Sequence, residues 1–221
     1  MQIDAYTGEL LDTINALGIA DNTIFIFTAD NGPEMLTGHN GWSGPWRGSY
    51  LTGLEGSLRV PFIMRWSGKV PAGLVSNEIV HEMDLFPTLA NIIGGTVPDD
   101  REIDGVDQTD FFFGKQEKSN RDGLIVYVGN DLFGIKWRNW KMMFKEVERG
   151  TDEKKTFDFP RFFNLYNDPK EEYPLTKATA GHLWVRWPMA ELLKAHSASL
   201  KHEPPIKSGT LDPYTPPKKQ E

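Results

Sequence analysis

The chain has 221 residues, 39% apolar and 25% charged, with a formal charge of −7 (24 Lys and Arg against 31 Asp and Glu) and no cysteine. These proportions describe an ordinary globule of one domain, or one domain with a small satellite, and set aside disordered and fibrous classes. The missing cysteine sets aside disulfides, thiolate metal sites and a Cys nucleophile. The acidic balance argues against a nucleic-acid partner, and no apolar run approaches the ~20 residues of a membrane span. Met1 onward is amphipathic rather than a signal peptide, so a cytoplasmic protein with neither membrane nor nucleic-acid partner is expected.

Ile3, Leu10, Ile14 and Leu17 fall at helical spacing, with Leu11 widening the stripe and Gly18 placed to end the helix. Asp21-Asn22 turns into the run Thr23 to Thr28, β-branched and aromatic without polar alternation. That pattern predicts a strand buried on both faces of a parallel sheet, and with the preceding helix it makes half of an α/β unit. Asp30 to Gly56 is rich in Gly, Pro, Trp and Ser and has no period; a loop of that length inside a compact domain is usually functional. Leu58 to Trp66 predicts a second buried strand, followed by a turn at residues 67–71. Asp84 reads as an N-cap, with Pro87 in the first turn, Leu85, Leu89, Ile92 and Ile93 on one face, and Gly94-Gly95 as the stop.

Beyond about Asp122 the texture changes. Leu124 to Val128, Phe133 to Trp137 and Lys141 to Val147 are short strand candidates separated by turn residues, the spacing of an antiparallel meander. Lys136, Arg138, Lys141 and Lys145 on these strands, followed by Glu146 and Glu148, read as a solvated face. Asn164 to Tyr173 is polar and turn-rich, residues 189–200 predict a short helix, and the Pro-rich tail from Pro204 reads as extended. The expected organisation is an α/β part over residues 1–120 and a small antiparallel α+β part with a helix and extended tail over 121–221.

Two local features could carry chemistry. The first is Thr28-Ala29-Asp30-Asn31-Gly32-Pro33, directly after the predicted strand. Ligands of open α/β sheets gather there, and an Asp beside an Asn supplies hard oxygens suited to Ca²⁺ or Mg²⁺. The same residues also make an ordinary turn. The second is Gly44 to Pro61, where glycines let backbone approach a ligand and Arg47 and Arg59 offer planar forks for a tetrahedral oxyanion. Taken alone, Arg59 reads as a structural ion pair.

Together these stretches carry a family resemblance. Strand-Ala29-Asp30-Asn31-Gly32-Pro33, then Trp46-Arg47-Gly48 and Glu55-Gly56-Ser57-Leu58-Arg59-Val60-Pro61-Phe62-Ile63, resemble the C-terminal half of arylsulfatase-type sulfatases of the alkaline phosphatase superfamily. Asp84 to Leu89, Asp104-Gly105-Val106-Asp107, Trp140-Lys141 and Phe163 to Glu171 follow in the family order. The resemblance implies a mixed sheet flanked by helices and a small C-terminal antiparallel sheet with a helix. It assigns Asp30 and Asn31 to a divalent cation, usually Ca²⁺, beside the sulfate. Family members usually carry a Lys two residues after Arg-Gly-Gly, and in that register this chain has Tyr50. Their nucleophile is formylglycine, made from the first residue of a Cys/Ser-x-Pro-x-Arg motif in the N-terminal half, which the resemblance leaves outside this chain.

The remaining candidates cluster in the same loop. His39 stands beside the expected metal as an acid/base or leaving-group donor. Ser43-Gly44-Pro45-Trp46-Arg47 formally fits Ser-x-Pro-x-Arg, though it follows the Asp-Asn pair rather than preceding it. As a hydrolase nucleophile, Ser43 lacks the last Gly of a nucleophile elbow. Trp42, Trp46 and Tyr50 could wall an aryl or sugar group, with Arg47 on the anion. His81 reads as a packing or capping residue, and His182, His196 and His202 as surface residues. Three functions compete: a cation-dependent hydrolase of small sulfate or phosphate esters, a non-catalytic sulfatase remnant that binds or assembles, and an esterase using Ser43 or Ser49. A half-domain would leave sheet edges uncovered, so a homo-oligomer burying that flank is expected.

Overall fold

The computed structural model describes residues 2–35, 41–175, 182–206 and 209–211. His39 and most of the tail predicted to be extended lie outside the described residues. Helix α1 (Gln2–Ala16) ends where Gly18 takes φ +68°, a conformation that carries no Cβ penalty for glycine. None of its residues is buried, so the Ile3–Leu10–Leu17 stripe faces outward.

Strand β1 (Phe25–Thr28) pairs with β2 (Phe62–Arg65), Phe25 opposite Arg65 and Thr28 opposite Phe62. Here the structure corrects the sequence expectation. The pairing is antiparallel and β1 is half-buried throughout. A short apolar run without alternation does not fix the direction of its neighbour. The second strand is also shorter than the run from Leu58 to Trp66, because Glu55–Leu58 forms the helical turn α2. Pro61, which cannot donate to a ladder, stands immediately before β2.

A 3-10 turn at Glu82–Asp84 leads into helix α3 (Leu85–Ile92), which ends at Gly94 with φ +72°. Ile93 falls past the helix end and is exposed rather than on the buried face. His81 caps the 3-10 turn, its Nδ1 accepting the Met83 N–H at 3.3 Å. Asp84 is fully buried and collects backbone N–H donors from His81 and Val106, both at 2.9 Å, and Arg121 Nε at 2.8 Å. Burial raises its pKa, but these donors outweigh burial and hold the carboxyl below its ordinary range. Helix α4 (Thr109–Phe112) stacks Phe112 on Phe62, with ring centroids 5.7 Å apart.

The C-terminal sheet is antiparallel in the order β3-β4-β5-β6, from β3 (Gly123–Val128), β4 (Asp131–Trp137), β5 (Trp140–Glu146) and β6 (Lys155–Asn164). The first three match the predicted meander. The fourth was not predicted, since Pro160 and scattered charges break its pattern; an edge position tolerates both. Helix α5 (Arg186–His202) is longer than predicted and covers one face of the sheet, Met189, Leu192 and Leu193 packing with Ile135, Met142 and Phe162. Leu51, in the loop before α2, and Leu58, the last residue of α2, cover the other face against Val126, Phe133, Met143 and Phe163. Neighbours Met142 and Met143 thus serve opposite faces, as strand geometry requires. The loop before α2 is therefore part of the sheet's core. Among the described residues, no helix is long and apolar enough to cross a membrane.

Candidate functional site

β1 delivers the chain to Asp30 at the strand's C-terminal end. The Asn31 N–H donates to Asp30 Oδ1 at 2.9 Å, and Asn31 Nδ2 donates to the Gly32 carbonyl at 2.8 Å. Among the described residues, Asp30 Oδ2 and Asn31 Oδ1 accept no hydrogen bond. The turn is pinned to α2 by backbone contact. Gly32 N–H donates to the Ser57 carbonyl at 2.9 Å, and a Cβ on Gly32 would stand 1.8 Å from the Gly56 carbonyl oxygen. Gly56 N–H in turn donates to the Arg47 carbonyl at 2.8 Å, and a Cβ there would meet the Gly48 carbonyl at 2.4 Å. Only glycine allows three backbone segments to approach this closely.

A cleft of about 470 Å³ opens beside this turn, lined by Asn31, Pro33, Trp42, Ser43, Trp46 and Arg59 among others. It brings together four of the sequence-predicted residues, Asn31, Trp42, Ser43 and Trp46, with Trp42 88% exposed. Arg47 does not line it. Its Nη2 donates to Glu146 Oε1 at 3.1 Å and to the Glu171 carbonyl at 2.9 Å, tying the loop to the C-terminal sheet. The Tyr50 ring is exposed, and its N–H is anchored on the Pro33 carbonyl at 2.9 Å. Ser43 Oγ donates to the Trp46 carbonyl at 2.8 Å; among the described residues, neither a histidine nor a carboxylate bonds this hydroxyl.

Behind the cleft lies a buried charge network that the sequence reading missed. Glu55, fully buried, accepts on Oε2 from Arg59 Nε and Lys136 Nζ, each at 2.6 Å, and its Oε1 lies 3.2 Å from Lys141 Nζ. Lys141 Nζ is also 2.8 Å from Glu171 Oε1, while Glu171 Oε2 accepts the Glu55 backbone N–H at 2.7 Å. Glu171 takes φ +56°, an uncommon backbone for a residue with a Cβ, and this places its carboxylate under Lys141. Burial raises the Glu55 pKa, but Lys141, Lys136 and Arg59 outweigh it and hold the carboxyl far below its usual range. Burial lowers the Lys136 pKa despite its pairing with Glu55. Lys136 and Lys141 are therefore not part of a solvated face; both are buried because two carboxylates meet them inside. Partners separated by 81 and 116 positions leave no local pattern, although Glu55, Lys141 and Glu171 each fall within a motif stretch.

Asp30 and Asn31 supply oxygens of the type hard cations take, but only part of the six to eight that Ca²⁺ requires. Among the described residues, no three or more His, Asp or Glu side chains converge on one point. The pair thus fits one side of a cation's shell. A larger cavity, about 1020 Å³, separates β2 and the following loop from the edge of the C-terminal sheet. Three of the cations in its lining are paired, Arg121 with Asp84, Arg138 with Asp122 and Lys136 with Glu55.

This strand-end Asp-Asn turn, the glycine-packed loop behind it and the small antiparallel sheet with its helix are features of the sulfatase fold. The chain matches the sulfatase family over residues 1–95 and the C-terminal region of aryl-sulfatase over residues 119–218; it belongs to the sulfatase family. It is 30% identical over 222 residues to N-acetylgalactosamine-6-sulfatase of Canis lupus familiaris, covering 90% of this chain and 42% of that protein. It is 33% identical over 203 residues to arylsulfatase D of Homo sapiens, covering 79% of this chain and 34% of that protein. Among solved structures, the PsFucS1 sulfatase from Pseudoalteromonas sp. superposes with a TM-score of 0.82 at 33% identity, over 93% of this chain and 43% of that one. The chain spans about two fifths of the length of the curated relatives it matches.

Proposed function

We propose that this chain contributes the cation-holding and substrate-facing half of a sulfate-ester hydrolase site. The observation that carries the reading is the Asp30-Asn31 turn, held at a strand end with one oxygen of each side chain unpaired among the described residues, Asn31 lining the cleft that Trp42 and Trp46 also line and Asp30 standing next to it in the chain. Asp30 and Asn31 hold a divalent cation, Ca²⁺ by preference, and the cation when bound supplies Lewis-acid stabilisation of sulfate oxygens. The glycine stack at 32, 48 and 56 keeps the turn from shifting as ligand enters. Trp42 and Trp46 provide aromatic faces for the ring that bears the ester. Arg47 acts by fixing the loop on the C-terminal sheet. Ser43 serves as a turn-closing hydroxyl rather than a primed nucleophile, which disfavours the esterase reading.

The relatives' names divide between a carbohydrate sulfate, as in N-acetylgalactosamine-6-sulfatase, and a steryl sulfate, as in steryl-sulfatase; we take the carbohydrate sulfate as the substrate class. The test is calorimetric titration of the full chain with calcium and with magnesium, alongside hydrolysis of 4-nitrophenyl sulfate, for the wild type and Asp30→Ala. The expected result is at least a tenfold loss of calcium affinity in the variant (roughly 1.4 kcal/mol). Calcium affinity unchanged by Asp30→Ala overturns the reading. Calcium bound without turnover of any aryl sulfate favours the binding-module alternative.

A further inference from the structure

Arg59 reaches the cleft with one nitrogen and one face already committed. Its Nε donates to Glu55 Oε2 at 2.6 Å, and its Cζ lies 3.9 Å from the centre of the Trp46 ring. Arg59 lines both cavities, but Trp46 lines only the cleft, so the stacked guanidinium stands in the cleft wall. The side chain is 35% exposed. Among the described residues, its two terminal nitrogens make no hydrogen bond. A guanidinium carries five N–H donors in a rigid plane, so the fork beyond Nε keeps four. Nor is its charge cancelled: the one carboxylate that it touches, Glu55, also answers Lys136 and Lys141.

We propose, resting on the reading of Asp30 and Asn31 above, that Arg59 is the receptor for a second anionic substituent of the substrate. The ligand is a sugar that carries the ester and, besides it, a carboxylate or a further sulfate. Both groups present paired acceptor oxygens, and a guanidinium fork whose orientation is fixed by Glu55 and Trp46 matches them without further ordering. Asn31 and Arg59 line one cleft of about 470 Å³, within the range of about 300–1,000 Å³ of small-molecule sites. One sugar can therefore present its ester toward Asn31 and its second anion toward Arg59, with Trp42 offering a face to the ring.

The experiment titrates the full chain, without added calcium, with galactose 6-sulfate, galactose 4,6-disulfate and glucuronic acid 2-sulfate, followed by tryptophan fluorescence and calorimetry. The wild type binds the two doubly charged sugars about tenfold more tightly than the monosulfate, the scale of one charge-assisted contact. Whichever doubly charged sugar gains more identifies the carboxylate or the sulfate as the recognised group. Arg59→Lys keeps the charge but loses the fork, and the preference falls to near unity while calcium affinity is unchanged. If Arg59→Lys does not fold, the wild-type preference is followed from 20 to 500 mM salt instead, and a preference that shrinks with salt supports the assignment. Equal binding of all three sugars by the wild type overturns it, as does a preference retained in Arg59→Lys or insensitive to salt. A failed cation reading looks different: Asp30→Ala leaves calcium affinity intact, and the anion preference remains readable.

Discussion

Glu55→Gln tests the charge network directly. Among the described residues, Glu55 is the only carboxylate paired with Lys136 or with Arg59, and all the atoms of its carboxyl group are buried. The substitution keeps the shape and one acceptor oxygen but leaves Lys136, itself nearly buried, without a counter-charge. Removing one partner of a buried pair costs about 3–5 kcal/mol. The retained acceptor and the second carboxylate at Lys141 place the expected loss at the lower end, about 3 kcal/mol. For a chain of this size that lowers Tm by about 6–12 °C. The assay is thermal unfolding followed by tryptophan fluorescence at pH 7 and at steps toward pH 3. The folded carboxyl lies below its unfolded value, so its stabilisation is complete above the unfolded pKa, about 4.3, and is lost as pH falls below it. The gap between wild type and variant is therefore widest at neutral pH and narrows in acid. Adding Lys136→Met to the variant recovers part of the loss, because the orphaned ammonium is gone. A gap below about 1 kcal/mol at pH 7, or one that widens in acid, refutes the reasoning.

Three further outcomes follow from the geometry. Gly32→Ala drives a Cβ into the Gly56 carbonyl, backbone that cannot swing aside, and costs about 3 kcal/mol or more in urea unfolding. Asp84→Asn strips Arg121 of its buried partner and costs about 3 kcal/mol at pH 7; the Asp84 pKa lies below its ordinary value, so this difference shrinks as the medium is acidified through the carboxylate range. Ser43→Ala removes a single turn-closing bond, lowers stability by about 1 kcal/mol, and leaves calcium affinity and any sulfate-ester turnover within about twofold.

How much was legible depended on how local each signal was. Gly18 and Gly94 as helix ends, His81 as a cap and three of the four meander strands rest on short-range patterns, and all are present. The ordered motifs from Asp30 to Glu171 carried the family, and the cleft gathers Asn31, Trp42, Ser43 and Trp46 as neighbours in one loop should. The errors share a cause. β1 was assigned a parallel neighbour because direction is a property of a pair, not of a run. Lys136 and Lys141 were read as solvated because their counter-charges stand some 81 positions away or more in one case and on a left-handed residue, Glu171, in the other. β6 was passed over because an edge strand need not look like a central one.

The ionic knot straddles the change of texture near residue 120. Glu55 and Arg59 stand on the early side of it, and Lys136, Lys141 and Glu171 on the late side. Neither segment can therefore drift alone: an exchange at 55 strands the Lys136 ammonium far along the chain, and an exchange at 141 leaves Glu171 without its only ammonium partner among the described residues. A chimera that grafts one segment onto a cousin's complement has to carry all five residues as a set.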